Sequence, residues 1–339
     1  MLSFLSDYTD GAHPKILERL ALLNAAPQPG YGEDEFCRGA KEKIRRALGR
    51  EAEVYFLTGG TQTNAVVISS MLERYQAVIA AETGHINVHE AGAIEYTGHK
   101  VIALPAHEGR LDAGELAEHM ARFYADGTHE HMCFPGMVYI SHPTELGTLY
   151  SREQLRALSA VCRRYQLPLY MDGARLGYGL MSPAADVTLA DILDCCDAFY
   201  IGGTKMGALC GEAVVFTGKA PKHFLTMTKQ QGAMLAKGGL LGIQFDTLFT
   251  GGLYFEIGRQ AVERALELKA AFLEKGYPLY IDSPTNQQFF VLTDEQLARL
   301  RKGAAFSVWE KLGEDRTAVR FVTSWATRPE DIQALRALL

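Results

Sequence analysis

No stretch of the chain approaches the roughly 20 consecutive apolar residues of a membrane span. No basic run stands out either. The net charge is −6 and the pI about 6.0, so nothing attracts nucleic acid or an anionic membrane surface. The opening residues, MLSFLSDYTDGAHP, have neither a charged leader nor a long apolar core, and a signal peptide is not expected. Cys-x-x-Cys is absent. Cys37, Cys133, Cys162, Cys195, Cys196 and Cys210 are read as reduced, mostly buried thiols, which points to a cytoplasmic protein. No metal site is expected. Nucleotide fingerprints are missing too: no Gly-x-Gly-x-x-Gly follows a strand-like run, and the one Gly-Lys pair, Gly218-Lys219, is followed by Ala220. There is no internal repeat and no low-complexity tract.

What is present is ordinary globular composition, 47% hydrophobic and 22% charged, over 339 residues. That length suffices for one large core and a smaller second domain. Residues 1–35 read as irregular, with a short helix from Pro14 to Leu23 and a turn-rich loop from Pro27. A helix from Glu33 to Leu48 follows and stops at Gly49. Short apolar runs then alternate with helical or polar connections: Val54–Leu57, Ala77–Ala80, Val101–Leu104, Met137–Ser141, Leu167–Asp172, Ala198–Ile201 and Ala213–Phe216. Seven strands with helical crossovers predict an α/β fold with a mostly parallel sheet covered on both faces. Thr247 to Gly252 marks a boundary. The predicted large domain is 1–246, with 1–35 near the active site, and the predicted small α+β domain is 247–339. The latter holds a long helix from Leu253 to Glu274, strands near Gln288–Leu292 and Val319–Thr323, and a last helix from Pro329.

The stretch from Tyr170 to Phe216 organises the chemistry. One apolar run delivers Asp172 and the next delivers Gly202-Gly203-Thr204-Lys205. Asp172 and Lys205 lie 33 positions apart, about one strand-helix-strand crossover. Both side chains then emerge at the carboxyl edge of one parallel sheet, where α/β enzymes keep their ligands. An amine and an acid so placed suit pyridoxal phosphate (PLP): the lysine forms the Schiff base and the acid pairs with the pyridinium nitrogen. Singly, Asp172 reads equally as a helix cap and Lys205 as a surface lysine. Other polar residues gather at the same edge. Thr58-Gly-Gly-Thr-Gln-Thr-Asn64 is either an anion cradle at a helix start or a tight turn capped by Thr61. His85 either stacks on a pyridine ring and handles protons or is a satisfied loop residue, while His89 and Glu90 read as part of the following helix. His142, Thr144 and Glu145 end the Met137–Ser141 strand. Arg175 turns back to the site or binds a surface acid. Arg320 clamps a carboxylate or forms a rim salt bridge.

Taken together the chain resembles the low-specificity threonine aldolases, including the phenylserine aldolase branch, within the β-eliminating lyase group of fold-type-I PLP-dependent, transferase-like enzymes. The resemblance runs from Ser6-Asp7 through Tyr31-Gly-Glu-Asp34, Gly60-Thr61-Gln62, His85, Pro143-Thr144-Glu145, Asp172-Gly-Ala-Arg175 and Thr204-Lys205 to Arg320. It implies that Lys205 binds PLP, that Asp172 keeps the ring nitrogen protonated, that Gly60, Thr61 and Thr204 hold the phosphate, and that His85 stacks on the ring. It implies that Ser6, Arg175 and Arg320 bind the amino-acid carboxylate, with Tyr31 and His142 among the substrate-binding residues and Arg175 also near the cofactor. It further implies a homodimer or homotetramer with shared active sites, in which Lys237 reaches the partner's cofactor. Several threonine aldolases carry histidine where this chain has Glu145, so His85 and Glu145 share the candidacy for catalytic base. The implied reaction is retro-aldol cleavage of β-hydroxy-α-amino acids to glycine and an aldehyde. The rival readings are a PLP lyase that yields pyruvate and ammonia, and a weakly catalytic PLP-fold binding protein.

Overall fold

The computed structural model describes residues 1–24 and 27–339. After a two-residue strand, β1 (Leu2–Ser3), the chain forms β2 (Glu53–Leu57), β3 (Gln76–Ala81), β4 (Val101–Leu104), β5 (Phe134–Ser141), β6 (Leu169–Asp172), β7 (Ala198–Gly202) and β8 (Glu212–Phe216). Strands β2 to β8 make one sheet in the order β2-β8-β7-β6-β5-β3-β4. The seven apolar runs of the sequence fall on these seven strands. Neighbours are parallel except β8, which is antiparallel to both β2 and β7. Side chains alternate between faces, and both faces are buried. Ile79, Val138, Leu169, Phe199 and Val215 pack on one side. Val78, Tyr139, Tyr170, Tyr200 and Val214 pack on the other.

Local signals set the helix ends. Asp34 caps the helix Glu35–Leu48 by accepting from Cys37 N at 2.8 Å, and Gly49 ends it at φ 66°, a left-handed conformation that glycine takes without strain. Ser151 and Gln154 form a capping box on the helix Arg152–Arg164. The first helix is shorter than its pattern: Pro14–Leu20 is α-helical and tightens into a 3₁₀ turn over Ala21–Asn24.

The second sheet is β12 (Ser307–Leu312), β13 (Arg316–Val322), β10 (Gln287–Thr293) and β9 (Leu279–Ile281), in that order and antiparallel. β10 and β13 match the expected strands. β9 and β12 are not among the expected strands: β9 is only three residues long, Leu279-Tyr280-Ile281, and β12 mixes apolar with charged residues; all their residues are half-buried or exposed. The chain start also behaves differently from its grouping with the large domain. β1 pairs in parallel with β11 (Ala304–Ala305), and Phe4 is buried in the small-domain core beside Phe321. The helix Leu253–Glu274 joins both cores: Tyr254, Ile257 and Ala261 pack with the large sheet, Leu268 and Phe272 with the small one.

Candidate active site

The carboxyl ends of β2, β3, β5, β6 and β7 converge on one edge. There they deliver Thr58–Thr61, His85, Ser141, Pro143–Glu145, Asp172, Ala174, Arg175, Thr204 and Lys205 around a cavity of about 280 Å³. Tyr8, Tyr200, Cys210 and Glu212 complete the wall. Because β8 runs against its neighbours, its first residue, Glu212, sits opposite Gly202 and Leu57 at the same edge. The inner cavity meets an outer space of about 630 Å³ walled by His89, Trp309 and Arg320. Tyr8, His85, Glu145, Arg175 and Lys205 line both.

Asp172 is buried and accepts four hydrogen bonds: from Tyr200 Oη at 2.6 Å, Tyr139 Oη at 2.7 Å, Ala174 N at 3.0 Å and Asn64 Nδ2 at 3.1 Å. Burial pushes its carboxyl up, but His85 and these donors outweigh burial and hold it below the usual carboxylate value. The tyrosines reach it by register. Tyr139 pairs with Tyr170, and Tyr139, Tyr170 and Tyr200 share the sheet face that Asp172 uses. Lys205 follows β7 in a 3₁₀ turn and makes no ion pair among the described residues. Burial and then Arg175 lower its pKa, which favours a free amine. Glu212 accepts from Gly203 N at 3.1 Å, and burial pushes its carboxyl up to about 8. Glu145 Oε1 accepts from Ser141 Oγ at 2.6 Å and from His85 N at 2.9 Å. Burial raises its carboxyl against the Ser141 hydrogen bond.

The helix Gly60–Met71 starts at the cavity, and its cap, Gly59, offers no side chain. The first-turn N–H groups of Gly60 and Thr61 therefore stay open toward an anion. Thr204 stands across from them, its Oγ1 accepting from Gly211 N at 3.1 Å. These residues fit PLP: an amine without a carboxylate partner, a carboxylate held ionised, and a phosphate-sized set of open donors lie in one cavity.

The two arginines differ. Arg175 gives Nε and Nη2 to Asp7 at 2.7 and 3.0 Å, and Asn286 adds a third donor to that carboxylate at 2.9 Å. One edge of its fork, Nε and Nη2, is thus given to the N-terminal segment, while Nη1 has no hydrogen-bond partner among the described residues and Arg175 still lines both spaces. Arg320 Nη1 meets only the neutral Gln287 Oε1 at 3.1 Å, its guanidinium lies 5.5 Å from the Trp309 ring centroid, and its buried Nε has no partner. A rim salt bridge is absent among the described residues. Burial and then Arg175 lower its pKa to about 10.

Four expected residues lie outside the cavity wall. Ser6 is buried and donates to Asp7 at 3.4 Å; Tyr8, two residues on, lines the cavity instead. His142 is turned away, because the residue after Ser141 faces the opposite side of the sheet; its Nδ1 accepts from Tyr150 N at 3.4 Å and burial depresses it to about 4. Tyr31 and Lys237 are exposed and sit together on another surface, joined by a Tyr31 N to Ala236 O bond of 3.0 Å. Tyr8, Glu90, Tyr139, Tyr200, Glu212 and Trp309 do not stand out in the sequence as site residues. Tyr139, Tyr170 and Tyr200 carry one signal, recurring two residues before the end of three successive strands.

Fold and cavity together define a fold-type-I α/β enzyme with an amine, an acid and an anion cradle on one sheet edge. The chain belongs to the beta-eliminating lyase family, whose model matches residues 3–302. It is similar over its whole length to the solved structure of Leishmania major threonine aldolase, with 41% identity, a TM-score of 0.95, and 98% of that chain covered. It is 29% identical to the low specificity L-threonine aldolase of a Pseudomonas species, over 98% of this chain and 96% of the relative. The corresponding Pseudomonas aeruginosa protein is 28% identical over 99% and 95%.

Proposed function

We propose that this protein cleaves β-hydroxy-α-amino acids of the threonine or phenylserine type to glycine and an aldehyde. The observation that carries the reading is the half-buried Lys205, without an ion pair among the described residues, beside the ionised Asp172, faced by the uncompensated Arg320 and the Glu145 carboxyl. The names of its relatives support the same activity. PLP, when bound, supplies the electron sink that accepts the pair left on Cα when the Cα–Cβ bond breaks. Lys205 would provide the amine that holds it. Asp172 would keep a positive charge on its ring nitrogen. Gly60, Thr61 and Thr204 would hold its phosphate, and His85 would lie against the ring. Arg320 grips the substrate carboxylate through its free edge, with Arg175 adding positive charge nearby. The β-hydroxyl proton passes to a base formed by Glu145 and His85, the C–O bond becomes the aldehyde carbonyl, and a proton returns to Cα to give glycine. A carboxyl raised by burial suits that exchange at neutral pH.

The assembly belongs to the same proposal. Tyr31 and Lys237 share an exposed surface away from this chain's own cavity, which supports a homo-oligomer in which they serve a partner's site. None of the six cysteines forms a disulfide, in keeping with a cytoplasmic location. No helix among the described residues is long and apolar enough to cross a membrane. A product assay with L-threonine, L-allo-threonine, phenylserine and serine tests the reaction. Glycine with the matching aldehyde is expected. Pyruvate and ammonia from serine, with no aldehyde from the others, would replace it with β-elimination.

A further inference from the structure

Behind His85 lies a buried carboxylate that the reaction above does not use. Glu90 is 5% exposed, and its Oε1 stands 2.7 Å from His85 Nδ1. The same oxygen accepts from Asn64 Nδ2 at 2.8 Å. Asn64 also donates to Asp172 at 3.1 Å, and its own Oδ1 accepts from Tyr170 Oη at 2.9 Å. The tyrosine bond and the two carboxylates fix which end of the Asn64 amide points where. Glu90 Oε2 is buried without a partner among the described residues. The Glu90 oxygen already accepts from Asn64, and an arrangement in which it also accepts from His85 puts the proton of that contact on Nδ1. A neutral imidazole protonated there keeps its lone pair on Nε2. That nitrogen has no hydrogen-bond partner among the described residues, and His85 lines both spaces of the site.

We infer that Glu90 is a positioning residue, which holds His85 with its proton on Nδ1 so that Nε2 takes the β-hydroxyl proton while Glu145 orients the hydroxyl or a water. This rests on the retro-aldol reading, but its first test does not involve turnover. In cofactor-free protein with ¹⁵N-labelled histidine, ring ¹⁵N–¹H correlations of neutral His85 should place the proton on Nδ1. Glu90→Ala, which removes the acceptor, should populate the Nε2-protonated form, and Glu90→Gln, which keeps an acceptor oxygen, should restore the Nδ1 form. In the loaded enzyme Glu90→Ala should lower kcat by about 10–100-fold, the usual cost of losing a residue that orients a histidine. Glycine, which has no β-hydroxyl, should bind as before, and Glu90→Gln should recover most of the rate. In a His85→Asn background, Glu90→Ala should add almost nothing. A wild-type His85 protonated on Nε2 would overturn the inference whatever the reaction proves to be. So would an undiminished effect of Glu90→Ala after His85 is removed. If the tautomer is as described but no aldehyde forms from any β-hydroxy amino acid, the retro-aldol reading fails and the positioning stands.

Discussion

The two walls of the cavity are built in opposite ways. On the large-sheet edge, Asp172 is saturated by four donors and held ionised. On the small-domain wall, Arg320 has one neutral partner, an aromatic neighbour and a buried Nε that meets no partner among the described residues. Both groups are charged and largely withdrawn from water. A buried charge hydrogen-bonded within the protein is stable before any ligand arrives, whereas one left unsatisfied costs free energy until an anion arrives. The difference separates a permanent fixture of the site from a receptor. Arg175 lies between the two, since Asp7 takes one edge of its fork within the protein and Nη1 is left without a hydrogen-bond partner among the described residues.

The comparison can be broken most severely at the amine between the walls. Lys205→Ala should reduce turnover to background and abolish the visible absorbance of lysine-bound cofactor, because no other amine lines the cavity. Retention of that absorbance would move the cofactor's anchor elsewhere.

Asp172→Asn keeps a similar shape but removes the charge. Breaking a buried charge pair typically costs about 3–5 kcal/mol, which corresponds to roughly 10²–10⁴ in kcat. Cofactor content should be nearly unchanged. Near-normal turnover would mean that the donors around Asp172 serve packing rather than charge.

Glu145→Gln should lower kcat by roughly 10²–10⁴, the worth of one positioned base, and spare glycine binding. A base works deprotonated, and burial raises this carboxyl above its ordinary 4.5. The acidic limb of kcat/KM should therefore lie at a higher pH than an exposed glutamate would give. It should change in Glu145→Gln. A limb unmoved by that substitution would leave His85 as the base alone.

On the receptor wall the effect should appear in KM. Arg320→Ala should weaken amino-acid binding by about 2–5 kcal/mol with little change in cofactor content. Arg320→Lys keeps a charge without the planar fork and should cost less. Equal KM values for all three proteins would place the carboxylate clamp elsewhere, with Arg175 the next residue to test.

Residues whose role follows from chain-local pattern are legible in the sequence by itself. The seven apolar runs announce the sheet, the crossover spacing puts Asp172 and Lys205 at neighbouring strand ends, and the Gly-Gly-Thr turn marks an open helix start. Strand period, helix length and turn chemistry all act over a few residues, so they can be read in one dimension. Tertiary structure alone decided what those side chains meet. Glu212 reached the site because β8 runs backwards, a choice that its apolar run does not encode. His142 left the site because one step along an extended chain reverses the face. Asp7 captured Arg175 across 168 positions, Asn286 joined them from the far domain, and Glu90 found His85 through a turn that read as helix. Such pairings depend on which buried polar groups fall within hydrogen-bond reach once the core has closed, and only the folded chain sets those distances.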